Sequence, residues 1–143
     1  MQVDFYQLTR DPAEKVLPFI AQRVLDDDGR LLIVSDDTAQ LDAISAAFWT
    51  AKPDSFLAHA KTDEGDDTIQ PILLSARTDA ANGARFVAIA DGNWRDVGAD
   101  VERIFYLFPP ARTDMARTAW RNLGEDTARR YWKQDGGKWR QGP

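Results

Sequence analysis

Arg117, Trp120 and Arg121 stand at i, i+3 and i+4 in a stretch that reads as a helix, so two guanidinium groups and one indole share a face. Guanidinium groups fork onto carboxylates, and an indole with Met115 beside it can wall an apolar pocket. Other residues with chemical potential are less well supported. His59 is the single histidine, no GxSxG elbow accompanies it, and its place beside Phe56-Leu57 reads as packed or surface-capping. The run Asp63-Glu64-Gly65-Asp66-Asp67 imitates a calcium loop but lacks the EF-hand spacing and its bidentate glutamate, which leaves a solvated loop. Asp91, Asp96 and Asp100 imitate a metal-dependent nuclease without any supporting motif. The chain has no Cys, which excludes disulfides, thiolate zinc sites, iron–sulfur ligation and cysteine nucleophiles.

Phosphate chemistry needs glycine-rich turns at the ends of strands, and neither GxGxxG nor GxxxxGK[ST] occurs. The turn after the first predicted strand is Thr9-Arg10-Asp11-Pro12. The turn after the second is Ser35-Asp36-Asp37, whose carboxylates repel a phosphate at a helix N-terminus. No catalytic set, metal or cofactor is expected.

The net charge of −5 is unevenly distributed. Residues 1–111 hold 10 Lys/Arg and 19 Asp/Glu, a net of −9, whereas residues 112–143 hold 8 and 4, a net of +4. The basic third points to an anionic partner, either nucleic acid or an acidic peptide tail. The acidic remainder repels a long phosphate backbone and favours a short, local anion.

The elements that position these residues follow from periodicity. Strands are expected at 3–8, 31–35, 71–75, 85–90 and 101–107, with a last short strand at 129–133. Asp11-Pro12-Ala13-Glu14 resembles a capped helix start. Because Pro18 interrupts a continuous helix, the spacing predicts a short turn and then a helix from about Leu17. Gly29 suits a left-handed exit. Asp37-Thr38-Ala39-Gln40 is a capping box for a helix with Leu41, Ile44 and Phe48 on its apolar stripe, stopped at Lys52-Pro53. Another helix is expected over roughly 113–123, after Pro109-Pro110. Alternating strands and helices in a chain of 143 residues imply one α/β domain over 1–143. It is a three-layer, Rossmann-like arrangement with a largely parallel sheet and no phosphate loop. No apolar run reaches the roughly 20 residues needed to span a bilayer, and MQVDFYQLTR is not built like a signal peptide, so a soluble cytoplasmic protein is expected.

Several stretches together resemble the chi subunit family of bacterial DNA polymerase III. They are Phe5 to Leu8, and Gly29-Arg30-Leu31-Leu32-Ile33-Val34 followed by Asp37 and Leu41-Asp42. Trp49 with Lys52-Pro53-Asp54-Ser55-Phe56-Leu57-Ala58-His59 follows, and Ala58 departs from the family's usual proline. Gly65-Asp66 leading to Gln70-Pro71-Ile72-Leu73-Leu74, and Ala116-Arg117 with Trp120-Arg121, complete the order.

The resemblance implies a non-catalytic adaptor of the clamp-loader complex, a monomer or heterodimer that meets DNA only indirectly. It implies binding of the acidic C-terminal tail of the single-stranded-DNA-binding protein by Arg117, Trp120, Arg121, Met115 and Arg112. Arg112 would stand in for a basic residue that the family often has near position 113, where this chain has Thr113. It further implies a psi subunit, or a DNA-repair helicase, held by Trp49, Pro53 and Phe56. Two other readings stay open on the residues alone: a small nucleotide-dependent enzyme on the same fold, and a direct single-stranded nucleic-acid binder.

Overall fold

The computed structural model describes residues 1–50, 58–135 and 138–142. Its strands are β1 (Gln2–Gln7), β2 (Leu31–Val34), β3 (His59–Lys61), β4 (Ile72–Ser75), β5 (Phe86–Ile89), β6 (Arg103–Phe108), β7 (Ala128–Asp135) and β8 (Lys138–Gln141). They form one sheet in the order β3-β4-β2-β5-β6-β1-β7-β8, parallel throughout except that β8 returns antiparallel to β7. The helices are α1 (Ala13–Asp26), α2 (Thr38–Thr50) and α3 (Thr113–Asn122).

Strands β2 and β4 are buried along their whole length, which is why they read as unbroken apolar runs. Helices α1 and α2 cover one face, where Leu17, Ile20, Ile44 and Phe48 pack on Leu31, Ile33, Leu74 and Leu107. The opposite face packs Ala116 and Ala119 of α3 on Val3, Phe5, Tyr106 and Phe108. Asp4, with no exposed surface, is neutralised by an ion pair with Arg103 on the neighbouring strand.

Three local expectations change. Helix α1 is continuous from Ala13 through Pro18 rather than starting near Leu17. Proline forfeits one hydrogen bond there, but its fixed φ is already helical and the residue lies on the buried face of α1. Asp11 does not cap this helix; its carboxylate accepts from Gln134 Nε2 at 2.9 Å instead. The left-handed residue after α1 is Asp28, at φ 60°, and not Gly29. Gly29 is needed for room, because a Cβ there would lie 2.9 Å from the Phe86 ring and 3.0 Å from Val24. At α2 the expected cap is present on one side: Asp37 Oδ1 accepts from the N–H groups of Ala39 and Gln40. Gln40 does not fold back, and its amide reaches the Ala90 carbonyl at 2.8 Å.

The final crossover positions the site. Strand β6 pairs with one side of β1 and β7 with the other, so the connection between them must pass over β1. Helix α3 is that connection. It lies above side chains drawn from all three strands.

Candidate anion-binding groove beneath the third helix

Two small residues, Ala116 and Ala119, let α3 sit close to the sheet. Its next row of side chains then overhangs a groove of about 330 Å³ lined by Phe5, Phe108, Thr113, Ala116, Arg117, Trp120, Arg121 and Tyr131. The floor is aromatic and comes from the three strands that the crossover spans: Phe5 of β1, Phe108 of β6 and Tyr131 of β7. Trp120 packs edge-on to Phe5 at 5.1 Å between ring centres, and to Tyr131 at 6.4 Å. The Tyr131 hydroxyl donates to Gln7 Oε1. Burial pushes this phenol's pKa up, opposed by the charge of Arg117 nearby, so it stays protonated at neutral pH.

The rim is cationic and exposed. Arg117 meets Asp114 only at 3.9 Å, with its side chain 70% exposed, and Arg121 reaches Thr118 Oγ1 at 3.4 Å. Such contacts hold a guanidinium weakly and leave most of its donors for an incoming carboxylate.

The structure divides the five predicted tail-site residues. Arg117, Trp120 and Arg121 meet in the groove. Arg112 and Met115 face the turn after β5: Arg112 Nε donates to Asn93 Oδ1 at 3.1 Å, and Met115 Sδ accepts from the Trp94 N–H at 3.3 Å. The helical spacing of Met115 from the other three already places it off their row. Strand contributors to the floor were missed, because nothing in a single sequence says which strands flank β1.

Arg129 of β7 was also missed. It donates to the Leu123 and Gly124 carbonyls at 3.2 and 2.6 Å and to that of Trp120, and its guanidinium lies 5.7 Å from the Trp120 ring centre. Helix α3 ends without a left-handed residue, at Leu123 φ −68° and ψ 140°, and Arg129 satisfies its last carbonyls from another element.

Strand ends where an α/β protein often holds phosphate are filled here by the protein's own oxygens. Gln134 Oε1 accepts from three successive N–H groups, those of Thr9, Arg10 and Asp11, at 3.0–3.2 Å. After β2 and β5, Asp91 accepts from the Asp36 and Asn93 N–H groups and forks onto Arg95 at 2.6 and 2.9 Å. Arg95 also pairs with Asp36 at 2.8 Å. Burial alone raises the Asp91 pKa, but these hydrogen bonds and the Arg95 charge outweigh it and hold the carboxyl below its ordinary value. The Tyr106 hydroxyl donates to Gly92 O at 2.7 Å, and burial with the Asp91 charge pushes it up to about 12.

On the other side of the molecule Trp49 is 59% exposed at the end of α2, so it is not core. Its ring lies 5.1 Å from that of His59, whose Nε2 is 2.7 Å from Ser45 Oγ. Pro53 and Phe56 lie outside the described residues, as does the stop at Lys52-Pro53. Among the described residues no group of acidic or histidine side chains could hold a metal ion. No helix among them is long and apolar enough to cross a membrane.

A parallel α/β domain whose strand-end loops are closed by its own side chains, and whose aromatic groove is rimmed by arginines, has the surface of a binding domain. Residues 1–131 match the family described as DNA polymerase III chi subunit, HolC, and the chain belongs to that family. It is therefore a DNA polymerase III accessory subunit, associated with the clamp-loader complex. A comparison with curated proteins gave no match.

Proposed function

We propose that this chain is a non-catalytic adaptor whose α3 groove captures the acidic C-terminal tail of the single-stranded-DNA-binding protein. The supporting observation is the placement of Arg117 and Arg121 on either side of Trp120, above an apolar floor. The aromatic floor takes the tail's apolar last side chain, and the guanidinium groups take its carboxylates. A psi-type subunit, or a repair helicase, binds elsewhere, through the segment that contains Trp49, Pro53 and Phe56. The exposure of Trp49 agrees with that use. The protein works in the cytoplasm, needs no cofactor and reaches DNA through its partner.

Titration calorimetry with the acidic tail peptide tests this reading. Arg117→Glu and Arg121→Glu each replace a charge-assisted contact worth about 1.5–3 kcal/mol by repulsion, a loss of roughly ten- to hundredfold in affinity. Wild-type binding weakens with added salt. Unchanged affinity in both variants would place the anion site elsewhere.

A further inference from the structure

We propose that the C-terminal hairpin extends this groove by a second cationic step, Lys133 opposite Arg140, which takes the acidic residues upstream of the ligand's apolar end. This rests on the reading that the groove binds an acidic C-terminal peptide. Register places both residues. Phe5 pairs with Tyr131 and Gln7 with Lys133, so Lys133 stands on the groove face of β7, one pleat beyond Tyr131 and about 7 Å away. Arg140 pairs with Lys133 across the hairpin and shares its face. Their neighbours Gln134 and Trp139 point to the opposite side and belong to the α1 face.

The two cations stand directly opposite on adjacent strands and concentrate positive charge at this margin of the sheet. Lys133 is exposed and makes no ion pair with any described residue, which leaves its ammonium open to an incoming carboxylate. A carboxylate seated between them would meet both cations. Arg117 and Arg121 already line the neighbouring groove. Thus one ligand meets cations first at its end and then along its length.

The occupant is the acidic run of the same peptide and not a nucleic acid, because residues 1–111 carry a net of −9 that repels a long polyanion. An extended chain advances about 3.3–3.6 Å per residue. A carboxylate two positions upstream of the residue seated over Tyr131 therefore reaches Lys133, and the next one or two reach Arg140. The family match covers residues 1–131, so both cations lie beyond the matched residues.

The test uses the full chain and two synthetic peptides with the same apolar C-terminal residue and free carboxylate. One has a single Asp before that residue, and the other a run of five. Wild-type protein is expected to bind the long peptide more tightly. In the double variant Lys133→Glu/Arg140→Glu, affinity for the long peptide falls about tenfold, while the short peptide binds within about twofold of wild type. The glutamine double variant gives a smaller loss in the same direction, and thermal melts confirm that both variants fold. Equal loss for both peptides, or no loss for either, overturns the step while leaving the groove reading intact. Failure of both peptides to bind wild-type protein overturns the groove reading itself.

Discussion

Charged and amide side chains at the C-terminal ends of the strands behave quite differently from those over the α3 groove. At the strand ends, Asp91 is closed in by Arg95 and two backbone N–H groups, and Gln134 fills a nest of three more. Over the groove, Arg117 and Arg121 have, among the described residues, only a distant carboxylate and a hydroxyl, with an apolar floor beside them. Both regions are rich in polar groups, but only the second leaves hydrogen-bonding capacity unspent. Charges satisfied within the chain hold the loops, and charges left beside an apolar slot stay open to an incoming anion. The comparison predicts that substitutions at the first region change stability without changing affinity, and that those at the second do the reverse.

The largest effect on stability is expected at Arg95→Ala, which leaves a carboxylate with 8% side-chain exposure without its counter-charge. Two N–H donors remain to Asp91, so the cost is about 2–3 kcal/mol rather than the value for a wholly stranded charge. A melting temperature lower by roughly 6–12 °C, with unchanged peptide affinity, is the expected outcome. Arg117→Glu and Arg121→Glu should do the opposite: the affinity loss stated above, with stability altered by less than about 0.5 kcal/mol. A variant that changes both quantities together would break the comparison.

Gln134→Ala is expected to cost about 1–2 kcal/mol, since it unpairs three loop N–H groups that water can partly solvate. Amide exchange at Thr9, Arg10 and Asp11 should quicken selectively; uniform exchange across the chain would show that Gln134 has no special hold on that loop.

The smallest effect is one of pH. The Asp91 carboxyl is held below its ordinary value, so its contribution is fully present above the unfolded pKa of about 3.9. That contribution drains as pH falls through 3.9 towards the folded value. The melting-temperature gap between wild type and Asp91→Asn should therefore be widest near neutrality and narrow towards about pH 3. A gap that stays constant would mean that Asp91 does not titrate as its contacts require.

Arg117, Trp120 and Arg121 were legible as a unit because three residues on one helix turn need no partner to share a face. Met115 was legible as a neighbour in sequence, but the backbone turns it towards Trp94. Strand β7 was foreseen only in part, at 129–133, and β8 not at all, although Gly136-Gly137 is a turn signal between two such runs. Their alternation is weak: arginines and lysines interleave with aromatics on both faces of a sheet margin, so no apolar side stands out.

By itself the sequence determined the apolar strands, the helix spacings, the absence of a glycine-rich phosphate turn and the basic final third. Each of these is local, set by side-chain period, backbone freedom or charge count. Only the tertiary structure decided that β1 lies between β6 and β7, because strand order depends on contacts more than 90 residues apart, as between Asp4 and Arg103. That order carries α3 over Phe5 and places Phe108 and Tyr131 on either side of it. A row of arginines becomes a groove with a floor for this reason, and no window along the chain contains it.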